Sequence, residues 1–480
     1  MQTKNFVGGQ LTNGQQKTID VLSPIDGQIL SQVVLSTKTD LNLAVDQAQK
    51  AFPNWSGKTL KERVQIFYNF RALLQDNIDS LARIVHLENG KAIGEARAEV
   101  RKGMELTEFA CSLPQFIHDE IQEVSAGIEC RTTHVPIGIV ASITPFNFPA
   151  MVPLWTIPNA LALGNCMILK PSEKTPMAAI KIAELLQQAG LPDGVFNVLH
   201  GDKEIVEAIC DHPVIEAISF VGSTKIAKIV YRRATSNLKR CMAMGGAKNH
   251  LIVLPDAHPE MAANIVASMA GCAGQRCMAA SAMVAVGESN SMIDRICQEA
   301  KSWVAGDNLG TVISQEAKDR IENYISEAEA LGAKVLVDGR NTVVKGKEGG
   351  FYVGVTILDN VTPDMKIAQE EVFGPVLAIM RTNDIDEAIR IENASNYGNA
   401  SSVYTQNGSM AKYITERVSA GMVGVNVGVP VPREPFSFGG WNESRFGVND
   451  ITGKSSIPFW TKIKKQTTKW NAEDWKDWMS

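Results

Sequence analysis

The chain has 480 residues, of which 45% are hydrophobic and 21% charged, and its formal net charge is -5. This length exceeds what a single hydrophobic core usually serves, so an ordinary globular protein of two or more domains is expected. The small net charge, without long single-sign runs, argues against nucleic acid or an anionic membrane as the main partner and favours small metabolites.

Eight cysteines are scattered through the chain with no CxxC pair. That usage suits a reducing, cytoplasmic compartment and argues against a disulfide framework or a cysteine-based zinc site, so no metal is expected. The opening "MQTKNFVGGQLTNG" lacks a charged segment followed by an apolar one, and no secretory signal is predicted.

Residues 121–139 ("IQEVSAGIECRTTHVPIGI") predict an extended arm, set between the parts of a first domain spanning 1–120 and 140–245. From Val135 to Leu169 no residue carries a formal charge, but five prolines interrupt the stretch, so buried core is predicted rather than a membrane span. Short β-rich runs, "GIVASITP", "CMILKP", "GVFNVLHG" and "AISFVGS", alternate with helical segments such as "TPMAAIKIAELLQQAGLPDG", which ends at Gly190 and Pro192. Such alternation predicts a mostly parallel sheet covered by helices.

A second series begins at "HLIVLPDAHPEMAANIVASMAG" and continues through "SAMVAVG", "AKVLVDG", "PVLAIMRT", "ASSVYT" and "MVGVNVG", predicting a second α/β domain over 246–435. The tail, 455–480, is rich in Trp and Lys and alternates like an edge strand; its tryptophans suit either a partner subunit or packing on the same chain.

No two glycines anywhere are spaced at i and i+2, so the GxGxxG dinucleotide fingerprint is absent. Other features offer the same chemistry. Lys170 ends a predicted strand and Glu173 follows in the loop, where a carboxylate would accept from both ribose hydroxyls and repel a 2′-phosphate; a solvated charge pair explains the same residues. Ser223 opens a predicted helix after "FVG", either as a pyrophosphate contact at a helix N-terminus or as a plain cap.

"GCAGQRCMAAS" places Cys277 after Arg276 among small residues. Most buried cysteines are inert, but an adjacent arginine would lower the thiol pKa, Gly274 and Ala279 would leave room for a substrate, and a cleft is expected where the two series meet. The residues alone leave both readings open.

"TPFNFP" at Thr144–Pro149, "KPSE" at Lys170–Glu173, "FVGST" at Phe220–Thr224, "GQRCMA" at Gly274–Ala279 and "EEVFGPV" at Glu370–Val376 occur in the order and spacing of the aldehyde dehydrogenase superfamily, which the chain resembles over nearly its whole length. Within that superfamily "GGAKNH" at Gly245–His250, "AGQRCMA" and "VGVNVGVPVP" at Val423–Pro432 resemble the CoA-acylating methylmalonate-semialdehyde dehydrogenases. The resemblance implies the aldehyde dehydrogenase fold, with a Rossmann-like NAD-binding domain, a catalytic domain and an oligomerisation arm.

It also implies roles. Cys277 matches the nucleophile that forms a thiohemiacetal and then a thioester, and Asn147 the oxyanion-hole amide, where the bland reading is a turn residue. Lys170 and Glu173, with Lys174 beside them, match the adenosine-ribose contacts, Ser223 the pyrophosphate contact, and Glu371, with Phe373 beside it, the carboxylate on the nicotinamide ribose. Thr144 and Phe146 match the lining of the cofactor groove.

One departure stands out. Hydrolytic members carry a glutamate in "ELGGK" that activates water, and here that position falls on Ala243 or Met244, depending on register. Losing such a base slows water attack by roughly 10²–10⁴, whereas a thiol needs less help. The resemblance therefore implies coenzyme A as acyl acceptor and malonate or methylmalonate semialdehyde as substrate, with the carboxylate lost as CO2. Arg276, with Arg101 or Lys102, would hold that carboxylate; alternatively Arg276 only tunes Cys277 or pairs with a nearby acid. A homodimer or homotetramer, joined by the arm and tail, is implied as well.

Overall fold

A computed structural model describes residues 2–14 and 17–469, so the tryptophans at 470, 475 and 478 lie outside the described residues. Its centre is an eight-stranded sheet in the order Arg445–Phe446, Arg240–Met244, Ile215–Val221, Ile139–Ile143, Cys166–Lys170, Phe196–Val198, Asn5–Val7 and Gln10–Thr12. The five strands from Arg240–Met244 to Phe196–Val198 run parallel and are linked by helices. Every residue of Ile139–Ile143 and Cys166–Lys170 is buried, which accounts for the uncharged run: strands covered on both faces read as continuous apolar sequence. The intervening helix Met151–Ala162 is only 12 residues long, and no described helix is long and apolar enough to cross a membrane.

Chain order against spatial order explains where a cleft opens. The chain moves from Ile139–Ile143 outward through Cys166–Lys170 to Phe196–Val198, then returns to the other side of Ile139–Ile143 with Ile215–Val221 and Arg240–Met244. Helices on the two halves therefore diverge between Ile139–Ile143 and Ile215–Val221, leaving a crevice at the carboxyl ends of those strands.

A second, seven-stranded sheet runs Lys334–Val337, Thr356–Asp359, Val376–Thr382, Ala280–Val286, Asn249–Val253, Ala400–Tyr404 and Met422–Val425, parallel except for the first. Each large sheet carries its own apolar core. Residues past 435 return to the first sheet, since Arg445–Phe446 pairs antiparallel with Arg240–Met244. A three-stranded sheet joins Ile121–Ser125, Ile128–Pro136 and Thr461–Lys469.

The helix Ile93–Ser112 packs unusually close to Met151–Ala162. A Cβ on Gly103 would stand 2.5 Å from Leu154 Cδ1, so glycine permits the approach.

Candidate active site

Two cavities, of about 780 and 570 Å³, meet at Cys277, with Phe148 and Trp155 lining both. The larger is entered from the carboxyl ends of the first sheet, between Asn147 after Ile139–Ile143 and Ser223 after Ile215–Val221. From the second sheet come segments leading into strands: Cys277 ahead of Ala280–Val286, and Glu371 and Phe373 ahead of Val376–Thr382. The smaller cavity lies between the helix Ile93–Ser112 and the segment around residues 429–434.

The loop that presents Cys277 is conformationally unusual. Cys272, Ala273 and Gly274 all have positive φ (53°, 52° and 69°), a region that residues with a Cβ rarely visit. Gly274 is required by backbone contact, because a Cβ there would meet Gly374 O at 2.0 Å. The expectation that Gly274 and Ala279 make room for a substrate is thus corrected: Gly274 packs on Gly374, Ala279 is buried, and neither lines a cavity. Behind the thiol, the Cys277 carbonyl accepts from Asn249 Nδ2 (2.8 Å) and Asn399 Nδ2 (2.9 Å). Neither asparagine was given a role by sequence reading, because each reaches Cys277 from a different part of the second sheet.

Electrostatics at the thiol correct a second expectation. Burial pushes Cys277 up to about 12, and the Glu371 carboxylate adds to the rise. The backbone N–H groups of Cys277 and Met278, and Arg276, pull the other way but do not prevail. Arg276 is directed elsewhere: its Nη2 donates to Ala267 O (2.6 Å) and Ser268 O (2.8 Å), satisfying carbonyls in the last turn of Met261–Ala270. Its Nε is buried without a partner among the described residues. It still lines the smaller cavity, as do Arg101 and Lys102. Lys102 is committed to Glu434 (2.9 Å) and Glu105 (3.1 Å), while neither Arg101 nor Arg433, a cation that sequence reading missed, has a side-chain partner among the described residues.

Asn147 lines the larger cavity beside Cys277, and its Nδ2 donates to Gln275 O at 2.9 Å, so it is no mere turn residue. Ser223 precedes the helix Thr224–Ser236 with its hydroxyl making no capping bond, and it too faces the cavity. Glu371 is no surface charge; burial raises its carboxyl to about 7 against the pull of the Ala247 N–H and Lys248. A Cβ on Gly246 would stand 2.4 Å from Glu371 Oε2, so glycine keeps that wall of the cavity clear. Phe146 and Phe373 meet edge to face, 5.9 Å between centroids, with Phe373 held at φ 53°.

Lys174 also lines the larger cavity, but Thr144, Lys170 and Glu173 do not. Lys170 and Glu173 pair at 3.0 Å on the neighbouring loop, with Lys170 buried, and Lys170 holds the Glu173 carboxyl below its ordinary range despite partial burial. Ala243 and Met244 are buried in the strand Arg240–Met244 and line neither cavity.

Residues 11–466 match the aldehyde dehydrogenase family. The chain belongs to that family and is an aldehyde-oxidising oxidoreductase. It is similar to malonate-semialdehyde dehydrogenase 1 of Geobacillus kaustophilus (strain HTA426), 43% identical over 98% of each chain. It is also similar to malonate-semialdehyde dehydrogenase 2 of Bacillus anthracis, 42% identical over 97% of this chain and 98% of the other. Among solved structures, methylmalonate-semialdehyde dehydrogenase from Oceanimonas doudoroffii superposes with a TM-score of 0.97 at 40% identity, covering 99% of this chain and 100% of that one. A Sinorhizobium meliloti 1021 protein, provisionally described as a methylmalonate-semialdehyde dehydrogenase and complexed with NAD, gives 0.97 at 40% identity over 98% of each.

Proposed function

We propose that the chain oxidises malonate or methylmalonate semialdehyde and passes the acyl group to coenzyme A, with loss of CO2. The observation that carries this reading is the position of Cys277, the one thiol among the described residues at which the larger and smaller cavities meet. A cofactor entering one cavity and an aldehyde entering the other would converge on its sulfur.

The larger cavity suits NAD on its own chemistry: Ser223 and free N–H groups at a helix N-terminus for the pyrophosphate, and Glu371 for a ribose. Lys170 and Glu173 extend that reading to the adenosine ribose, with Thr144, Phe146, Lys174 and Phe373 along the groove. NAD, when bound, supplies the hydride acceptor and a positive charge near the thiol.

In the reaction, Cys277 loses its proton and its sulfur bonds to the aldehyde carbon, giving a thiohemiacetal. Asn147 Nδ2 and the Cys277 N–H hold the oxygen as it becomes anionic. Departure of hydride leaves a thioester on Cys277. The β-carboxylate then leaves as CO2, its electron pair passing to the thioester carbonyl, and protonation gives the acetyl or propionyl group. Arg276, with Arg101 or Lys102, would orient that carboxylate within the smaller cavity.

Release depends on what is missing. With Ala243 and Met244 buried and uncharged, no carboxylate stands at the family's water-activating position. The coenzyme A thiol therefore attacks the thioester, and Cys277 departs. The sheet formed by the arm and the Thr461–Lys469 strand, with Ile121, Val124 and Ile463 exposed, supports assembly into a homo-oligomer.

A single-turnover experiment tests the covalent step. Mixing enzyme and NAD with malonate semialdehyde, without coenzyme A, should give a burst of one NADH per Cys277. Cys277→Ala should give none, and a burst from that variant would remove Cys277 from the mechanism.

A further inference from the structure

The segment carrying Asn147 is clamped from behind by Asn89 and Lys91, which line neither cavity, and by Glu99, which borders the smaller one. The helix Ile78–Asn89 stops at Gly90, whose φ of 81° turns the chain inward. Asn89 Nδ2 then donates to Phe146 O (3.0 Å), and Lys91 Nζ to Asn147 O (2.7 Å). On the next helix, Glu99 Oε1 accepts from the N–H groups of Ala150 (2.8 Å) and Met151 (3.1 Å). The two charges meet at 2.5 Å between Lys91 Nζ and Glu99 Oε2, with side-chain exposures of 1% and 0%. Lys91 Nζ also lies 4.1 Å from the centre of the Phe148 ring, which lines both cavities.

We infer that Lys91 and Glu99 are positioning residues for the oxyanion amide, and that their ion pair is kept at the cost of desolvating two charges because it fixes the Asn147 carbonyl and the backbone that follows it. Burial alone would lower the Lys91 pKa, but the Glu99 carboxylate raises it, so the cation persists across the working pH range. A well-packed apolar pair would hold a core as well or better, so stability alone does not explain the ion pair. What an apolar pair lacks is a donor for the Asn147 carbonyl and an acceptor for two amide N–H groups.

The inference rests on the oxyanion role proposed for Asn147, and a double-mutant cycle separates the two. The variants are Asn147→Ala, the pair Lys91→Met with Glu99→Leu, and all three together. The readouts are the single-turnover NADH burst with malonate semialdehyde, NAD affinity by fluorescence titration, and Cys277 alkylation by iodoacetamide.

Asn147→Ala should slow the burst by roughly 10²–10³. Lys91→Met with Glu99→Leu should slow it by about 10² with NAD affinity and alkylation unchanged, and adding Asn147→Ala should then cost less than about threefold more. If Asn147→Ala leaves the burst intact, the oxyanion reading fails. If that variant is slow but the clamp variant keeps the wild-type burst, or if the two losses multiply in full, the positioning role is overturned. Should the clamp variant not fold, Glu99→Gln, which keeps one acceptor oxygen and the side-chain size, enters the same cycle with the same criteria.

Discussion

Asn249 holds Cys277 from behind: its Nδ2 donates to the Cys277 carbonyl at 2.8 Å. The same nitrogen donates to Ala279 O (2.9 Å), and its Oδ1 accepts from the Ala400 N–H (3.0 Å), so one buried side chain joins the Cys277 loop to two strands of the second sheet. Asn249→Ala removes the side-chain partner of the Ala279 carbonyl and of the Ala400 N–H, and leaves the Cys277 carbonyl to Asn399 alone. Given about 1–3 kcal/mol for an unsatisfied buried group, the variant should lose roughly 2–4 kcal/mol in denaturant unfolding and a larger share of kcat than of NAD affinity. A midpoint within error of wild type would show that the loop is held by other contacts.

The raised thiol gives a pH dependence. With Cys277 pushed up to about 12 in the cofactor-free enzyme, its alkylation by iodoacetamide should climb about tenfold per pH unit from about pH 7 to 10 without a plateau. Glu371→Gln removes the nearby anion and should make alkylation faster at each of those pH values. A plateau near pH 8 in the free enzyme would contradict this account of the thiol.

Glu371 itself makes a stability prediction with a definite sign. Its carboxyl is raised from 4.5 to about 7, so the folded chain binds this proton more tightly than the unfolded chain. The stabilising contribution is full below about pH 4.5 and is lost as pH rises through 7. Glu371→Gln should therefore be more stable than wild type at about pH 8, by up to about 3 kcal/mol, and no more stable at about pH 4. Urea midpoints at the two pH values check it, and equal shifts at both would count against a carboxyl raised by burial.

Glu173 should decide between the two nicotinamide cofactors. Paired with Lys170 at 3.0 Å and held ionised, it would repel a 2′-phosphate. Glu173→Gln should reduce the NAD-over-NADP preference in kcat/KM by roughly tenfold, ~1.4 kcal/mol. An unchanged ratio would place the ribose elsewhere.

Much of this arrangement was legible in the sequence because it is local. The strand–helix alternation and the buried strands at 139–143 and 166–170 follow from apolar runs, and Ser223 sits at the helix start that "FVGST" predicts. Arg276 shows the limit of such reading. Adjacency to Cys277 in the chain suggests a lowered thiol pKa, yet the guanidinium turns to the end of another helix and the thiol rises. Asn249, Asn399, Lys91 and Glu99 were invisible for the same reason in reverse. Each acts on a backbone group brought near only by folding, and nothing in its own neighbourhood of sequence marks the partner.

Whether the thioester on Cys277 awaits a thiol rather than water is decided by steady-state turnover of malonate semialdehyde with NAD, with and without coenzyme A, coupled to product analysis. Without coenzyme A the enzyme should make one fast turnover and then nearly stop; with it, turnover should be sustained and yield acetyl-CoA, CO2 and NADH in equal amounts. A steady rate indifferent to coenzyme A, with a free carboxylic acid as product, would contradict release by a thiol.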